Sequence, residues 1–439
     1  MAATPVWLWP PGMAEPCLAA TLAVGASGGV WHFAPDFVGA GTPSPDPIRL
    51  PLSRGTRPIH FPGHDGLAGV VRDAMPQGYG ADRLEAQAGR SLSPIELLEM
   101  GLPDSTGAIE VCADLERKLA WTPGRSEDLE TLTGELEAED PPSRAIRRLN
   151  GDVGTSQGGE KPKTTVVHRG ALWLAKMRDR GGLSALPARE FVAMTLARRA
   201  GIDIPDMALV NAGAHQIFLV RRFDRHGDPL RPARRMVASA HTVLDLAPAA
   251  VRGEAARSYL VLADKLRRWA FDSADLPAHL QQLWQRMAFN ALVGNTDDHP
   301  RNHAFLHDGT TWRLSPAFDI TPAQQTTRDP SSVVLAMDVS AGQGRTSCAS
   351  IETLLAASVH FGVPTEAAAQ WLLATAADVT NHWPDLLRAS VLETGTVRAA
   401  QVIEDCQPAF AFAHWVAEHP GLVEQHAATQ KLKSAKRRR

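Results

Sequence analysis

Apolar residues recur along this chain with two different periods, and the switch between them divides it. Residues 4–111 carry short apolar runs broken by Gly and Pro, the pattern of a β-containing module with connecting loops. Within it, Ala74-Met75-Pro76-Gln77-Gly78-Tyr79-Gly80 predicts a turn that enters a polar helix. From Arg125 to Arg148 the composition shifts to Glu, Asp, Pro and Arg without an aromatic residue, predicting a solvated connector or an exposed helix. After a Gly-rich stretch at 151–159, the runs 164–168 and 171–177 flank Arg169-Gly170 and predict a β-hairpin. Residues 187–200 predict a helix, with Pro at an early position and Gly201 as its stop. Residues 208–210 and 217–223 read as two more strands.

From about Asp275 the period becomes helical. Leu283, Met287, Ala291 and Leu292 share one helix face, and Gly294 ends it. A short hairpin around Asp308-Gly309 interrupts this region, and residues 351–419 are helix-patterned again. A β-rich lobe therefore precedes a helical lobe, with no internal repeat. The expected divisions are an N-terminal module over 1–124, a charged connector over 125–148, a β-rich core over 149–270, a helical lobe over 271–425 and a basic tail over 426–439.

Composition narrows the class. The chain has 439 residues, enough for two or three domains with cores of their own. Its net charge of −3 gives no global field for nucleic acid. The tail from Lys431 carries six positive charges in nine residues, open to a solubilising role or a salt-sensitive phosphate contact. The four cysteines are scattered without a CxxC pair, which fits a reducing compartment. No basic leader and no apolar run long enough for a bilayer is present, so a soluble cytoplasmic protein without a membrane partner is expected.

The sharpest chemistry lies in Gly294-Asn295-Thr296-Asp297-Asp298-His299-Pro300-Arg301-Asn302, directly after the helix stop. Asp297 and Asn302 stand as Asp-x-x-x-x-Asn. Phosphoryl transfer needs that pair: a carboxylate to orient and deprotonate the attacking hydroxyl, and an amide oxygen for magnesium. After the hairpin comes Pro316-Ala317-Phe318-Asp319-Ile320, which supplies a second hard oxygen ligand in Asp319. Catalytic loop, hairpin and metal-binding Asp, in that order, are the layout of a kinase helical lobe. The competing readings are Asx turns for Asp297, Asp298 and Asp308, and a His299/His303 metal pair, which Pro300 opposes by breaking the helix such a pair needs.

Upstream, Thr155-Ser156-Gln157-Gly158-Gly159-Glu160-Lys161-Pro162-Lys163 is a small-residue loop whose backbone N–H groups can approach phosphates, though its spacing is not that of a Walker A motif. Lys176 shares a strand face with Leu172 and Leu174, where an anion would offset the cost of its burial. Glu190, early in the next helix, is the candidate carboxylate partner. The plain alternatives are a snorkelling lysine and a helix-dipole glutamate. The strand over 218–225 can supply the segment joining the lobes, its backbone meeting the adenine edge and Phe223 packing on the base, with core packing as the alternative role of Phe223.

These ordered segments resemble the HipA family of bacterial toxin serine/threonine kinases. The resemblance rests on Ser156–Lys163, Arg189-Glu190, Arg222-Phe223-Asp224-Arg225, Gly294–Asn302 and Ser315–Ile320, with Met75–Gly80 similar to a turn of the family's N-terminal module. It implies an α+β, two-lobed protein-kinase-like fold with an extra N-terminal β-containing subdomain. It implies ATP and Mg²⁺ as cofactors, Asp297 as base, Asn302 and Asp319 on magnesium, Lys176 on the ATP phosphates and His299 beside them. Gly158, Gly159, Lys163, Glu190 and Phe223 complete the expected nucleotide site. Ser156, with Thr155 next to it, matches the family's autophosphorylation position. The implied partners are a helix-turn-helix, HipB-like antitoxin, operator DNA reached through it, and a protein substrate, an aminoacyl-tRNA synthetase among those of the family. Two other functions fit the residues less well: a catalytically weak co-repressor, and a small-molecule kinase. Arg221, where the family often has Glu, and the absence of a Gly after Asp319-Ile320 depart from the pattern.

Overall fold

The computed structural model describes residues 3–120, 129–138, 163–177, 183–249, 251–269, 272–326, 328–340, 344–394 and 397–437. The expected Gly-rich loop, with Thr155, Ser156, Gly158 and Gly159, lies outside the described residues, as does most of the charged connector.

The chain forms two compact units, each discontinuous in sequence: residues 1–183, 206–249 and 304–315 make one, and 184–205, 250–303 and 316–439 the other. This division does not coincide with the expected break at residue 270. The chain returns to each unit more than once, and a one-dimensional composition profile carries no trace of such returns.

In the first unit, β1 (Thr4–Leu8), β2 (Cys17–Gly25), β3 (Gly28–Phe33), β4 (Ile59–Phe61) and β5 (Ile109–Val111) form an antiparallel sheet in the order β4-β3-β2-β1-β5. Alternation buries Val6, Leu8, Ala20, Leu22, Trp31 and Phe33. A second antiparallel sheet follows the order β6-β7-β9-β8, from β6 (Lys163–His168), β7 (Ala171–Met177), β8 (Met207–Ala212) and β9 (His215–Arg221). Its first hairpin turns at Arg169 and Gly170, both left-handed at φ +50° and +69°, the primed turn whose twist matches paired strands. Trp173, Ala175, Met177, Ile217 and Leu219 build the packed face with Leu132 from the Leu129–Ala138 helix. Lys176 is on the opposite face, sharing it with Leu172 and Leu174 as the alternation predicts. Val237–Ser239, Ala304–His307 and Trp312–Leu314 add a three-stranded sheet.

The second unit is mainly helical, with one two-stranded sheet from Ser332–Val334 and Cys348–Ser350. Its main helices are Leu186–Arg199, Leu276–Leu292, Thr365–Ser390, Ala399–Glu418 and Pro420–Arg437. The last of these runs through the expected tail boundary at 425, and Lys431 pairs with Glu366 at 2.7 Å. Among the described residues no helix is long and apolar enough to cross a membrane.

Candidate active site

Leu276–Leu292 is buried over most of its C-terminal half, so its end is fixed by packing rather than by propensity. The chain leaves that end through Gly294 at φ +58°. A Cβ there would lie 2.4 Å from the Ala409 carbonyl oxygen, so only glycine permits this approach to the Ala399–Glu418 helix. The Gly294 carbonyl accepts from the N–H groups of Ala323 (3.1 Å) and Gln324 (3.0 Å), and Gln324 Nε2 donates to the Pro408 carbonyl at 3.1 Å. One glycine thus ties the start of the Asp297 loop to the segment that follows Asp319.

The loop itself is tightly bonded. Asn295 N–H donates to the Asn290 carbonyl (2.8 Å), His299 N–H to the Asp297 carbonyl (2.9 Å), and Asn302 N–H to the His299 carbonyl (2.8 Å). Asn302 Nδ2 donates to the Asp297 carbonyl at 3.0 Å. That bond assigns the amide orientation and leaves Oδ1 as the acceptor facing elsewhere. Asp297 is exposed and Asn302 half-buried, so both remain reachable. Exposed Arg252 donates from Nη2 to the Thr296 carbonyl at 2.7 Å, holding the residue before Asp297. His299 Nδ1 is buried and has no hydrogen-bond partner among the described residues.

Asp319 is half-buried with φ +60°. A non-glycine residue in that region carries roughly 1–3 kcal/mol of strain and is held there only when its surroundings over-determine it. The Ala317 N–H donating to the Asp203 carbonyl at 2.7 Å is one such restraint.

In the first unit, Lys163 and Lys176 are direct cross-strand partners of the β6–β7 hairpin, and Lys176 Nζ lies 5.9 Å from the centroid of its β9 neighbour Phe218. Glu190 is buried in the Leu186–Arg199 helix of the second unit.

Phe223 is not on a strand. β9 ends at Arg221, and Phe223 sits in the turn beyond it. The reason is visible in its neighbours. Arg222 donates through Nε and Nη2 to the two oxygens of Asp224 (3.0 and 2.8 Å) and through Nη1 to Asp104. Arg225 donates to the Gly107 carbonyl at 2.7 Å, and Gly107 N–H donates back to Asp224 at 2.9 Å. These charges are buried and pull the chain off the strand to clasp the Asp104–Gly107 loop. Burial opposes the charge on Arg222, yet Asp224 and Asp104 hold it above its ordinary range. Burial likewise opposes the Asp224 carboxylate, which Arg222 and Arg225 hold well below the usual carboxylate range. The Phe223 carbonyl accepts from Arg235 Nη1 at 3.1 Å, and the Asp224 carbonyl from Arg235 N–H at 3.0 Å. Two backbone acceptors of the expected adenine-edge segment are therefore already engaged within the protein.

Residues 155–383 match the HipA-like C-terminal domain family. The chain is 24% identical over 206 residues to the serine/threonine-protein kinase toxin HipA of Shewanella oneidensis, covering 42% of this chain and 46% of that protein. It is 26% identical over 162 residues to the Y4dM protein of Sinorhizobium fredii, covering 34% and 37% respectively. Each match spans less than half the length of the relative. A chain from the solved Shewanella oneidensis toxin–antitoxin complex of HipA, HipB and operator DNA superposes with a TM-score of 0.64 at 18% identity, over 94% of this chain and 99% of that one. The shared architecture is the α+β, kinase-like fold.

Proposed function

This chain belongs to the HipA family, and from that premise we propose that it is a serine/threonine protein kinase, moving the γ-phosphoryl of ATP to a protein hydroxyl. The observation that carries the reading is the Asn302 amide donating to the Asp297 carbonyl. It holds the base candidate and the metal-ligand candidate in one turn while leaving the Asp297 carboxylate and Asn302 Oδ1 for other partners. In this reading Asp297 accepts the proton of the attacking hydroxyl. Asn302 Oδ1 and the Asp319 carboxylate are hard oxygen donors of the kind magnesium takes. The metal, when bound with ATP, neutralises charge on the phosphoryl oxygens. Lys163 and Lys176 offer positive charge to the phosphates, and His299 lies beside them. Ser156 or Thr155 receives phosphate in autophosphorylation, and Glu190 and Phe223 complete the nucleotide site. A HipB-like helix-turn-helix antitoxin, with operator DNA reached through it, is the proposed partner, and a translation-related protein such as an aminoacyl-tRNA synthetase the proposed substrate, in the cytoplasm.

Incubation of unphosphorylated protein with labelled ATP and magnesium, followed by phosphosite mapping, tests the reading. Label on protein that vanishes in Asp297→Asn is the expected result. Label on sugars or lipids alone would indicate a small-molecule kinase. No label and no ATP binding would leave the co-repressor role.

A further inference from the structure

Asp297 and Asn302 alternate in their loop with two side chains of opposite disposition. Asp298 is 1% exposed and His303 3%, and Asp298 Oδ1 lies 2.7 Å from His303 Nε2. The contact joins the residue after the base candidate to the residue after the metal-ligand candidate. The His303 ring meets Tyr259 edge-on, with centroids 5.3 Å apart. Tyr259 Oη in turn accepts from Asn290 Nδ2 at 3.2 Å, and Asn290 Oδ1 accepts from Asn295 Nδ2 at 3.1 Å. The beginning and the end of the loop thus converge on one buried tyrosine.

Stability is a poor explanation for this arrangement. Taking an aspartate and a histidine out of water offsets much of what their contact gains, and apolar residues of the same volume commonly do as well or better. The site also leaves Asp298 Oδ2, both ring nitrogens of His303 and Asn295 Oδ1 buried without a hydrogen bond among the described residues, each of which is destabilising. The close approach of His303 Nε2 to Asp298 Oδ1 is a polar contact without hydrogen-bond alignment. A close polar contact supplies something an apolar one lacks, an electrostatic tie that sets the distance between its two ends. We propose that Asp298 and His303 are positioning residues that brace the 297–302 turn, fixing the spacing between the Asp297 carboxylate and Asn302 Oδ1. What they position rests on the kinase reading; that they hold the turn does not.

The test pairs amide hydrogen exchange of the nucleotide-free full chain with phosphoryl-transfer kinetics. The double variant Asp298→Leu/His303→Phe leaves neither polar side chain buried without the other, and should melt at or near the wild-type temperature. Its 295–303 amides should exchange at least about tenfold faster while those of Leu276–Leu292 keep their protection. Its kcat should fall by about 10²-fold at unchanged ATP affinity, the scale of a reacting group misplaced by an ångström. His303→Gln, whose amide can reach Asp298, should recover most of both. Wild-type exchange in the double variant overturns the proposal, as does a kcat loss that only tracks a fall in melting temperature. Faster loop exchange in a protein whose wild type transfers no label would keep the brace and sink the kinase reading instead.

Discussion

Lys163 and Lys176 face each other directly across the β6–β7 hairpin. In the kinase reading both lysines meet the phosphates of ATP. ATP should therefore raise the melting temperature, by the equivalent of about 2.7 kcal/mol at a hundredfold excess over Kd. In Lys176→Met titration calorimetry should show ATP affinity down by tenfold or more, the loss of one charge-assisted contact, so at the same ATP concentration the increment should fall to about 1.4 kcal/mol or less. An unchanged increment would remove Lys176 from the nucleotide site.

Asp297→Asn keeps the shape of the loop and removes the base. Phosphoryl transfer should fall by roughly 10²–10⁴-fold while ATP binding persists. Rapid-quench measurement of label transfer, with calorimetry alongside, separates the two. Full activity would mean that another group takes the proton.

Gly294→Ala combines an unfavourable positive φ with a Cβ 2.4 Å from a backbone oxygen. Because the same residue anchors Ala323 and Gln324, the variant should lose on the order of 1–3 kcal/mol of stability. Denaturant unfolding reads that loss, and a drop in kcat beyond it would show that the anchor also sets the Asp319 segment.

Arg222→Met strips Asp104 and Asp224 of a shared buried partner. A cost of about 3–5 kcal/mol is expected, since breaking a buried pair strands the opposing charge. Urea unfolding should show it. If the cost is below about 1 kcal/mol, the Arg222-Phe223-Asp224-Arg225 run is not the clasp described above.

Asp46 offers a pH test. Burial pushes its carboxyl up to about 6, against the opposing effect of the Arg49 and Ile48 N–H groups. A raised folded value means the folded protein binds the proton more tightly than the unfolded chain. The stability this contributes is complete below about pH 4 and is lost as pH rises through about 6. Asp46→Asn should therefore gain stability relative to wild type between pH 4.5 and 7, by up to about 3 kcal/mol. Parallel stability curves for the two proteins across that window would contradict the assignment.

Much of this protein is determined locally and was legible from sequence alone. The hairpin at Arg169-Gly170, the helix stopped at Gly201 and the helix ending before Gly294 follow from period and turn chemistry, which act over a few residues. The order of Asp297, Asn302 and Asp319 belongs to the same category, because loop chemistry is written in consecutive positions. Tertiary structure alone decided the rest. Nothing in the sequence distinguishes Asp298, buried against His303, from exposed Asp297 beside it, since both are aspartates of one loop. Arg222, Asp224 and Arg225 read as a strand end near a nucleotide, yet they are spent on a loop more than a hundred residues upstream. Gly294 reads as a helix stop, and its second role appears only when Ala409 is placed against it. In each case the deciding term is burial of a polar or backbone group against a distant partner, a quantity that neither periodicity nor local propensity encodes.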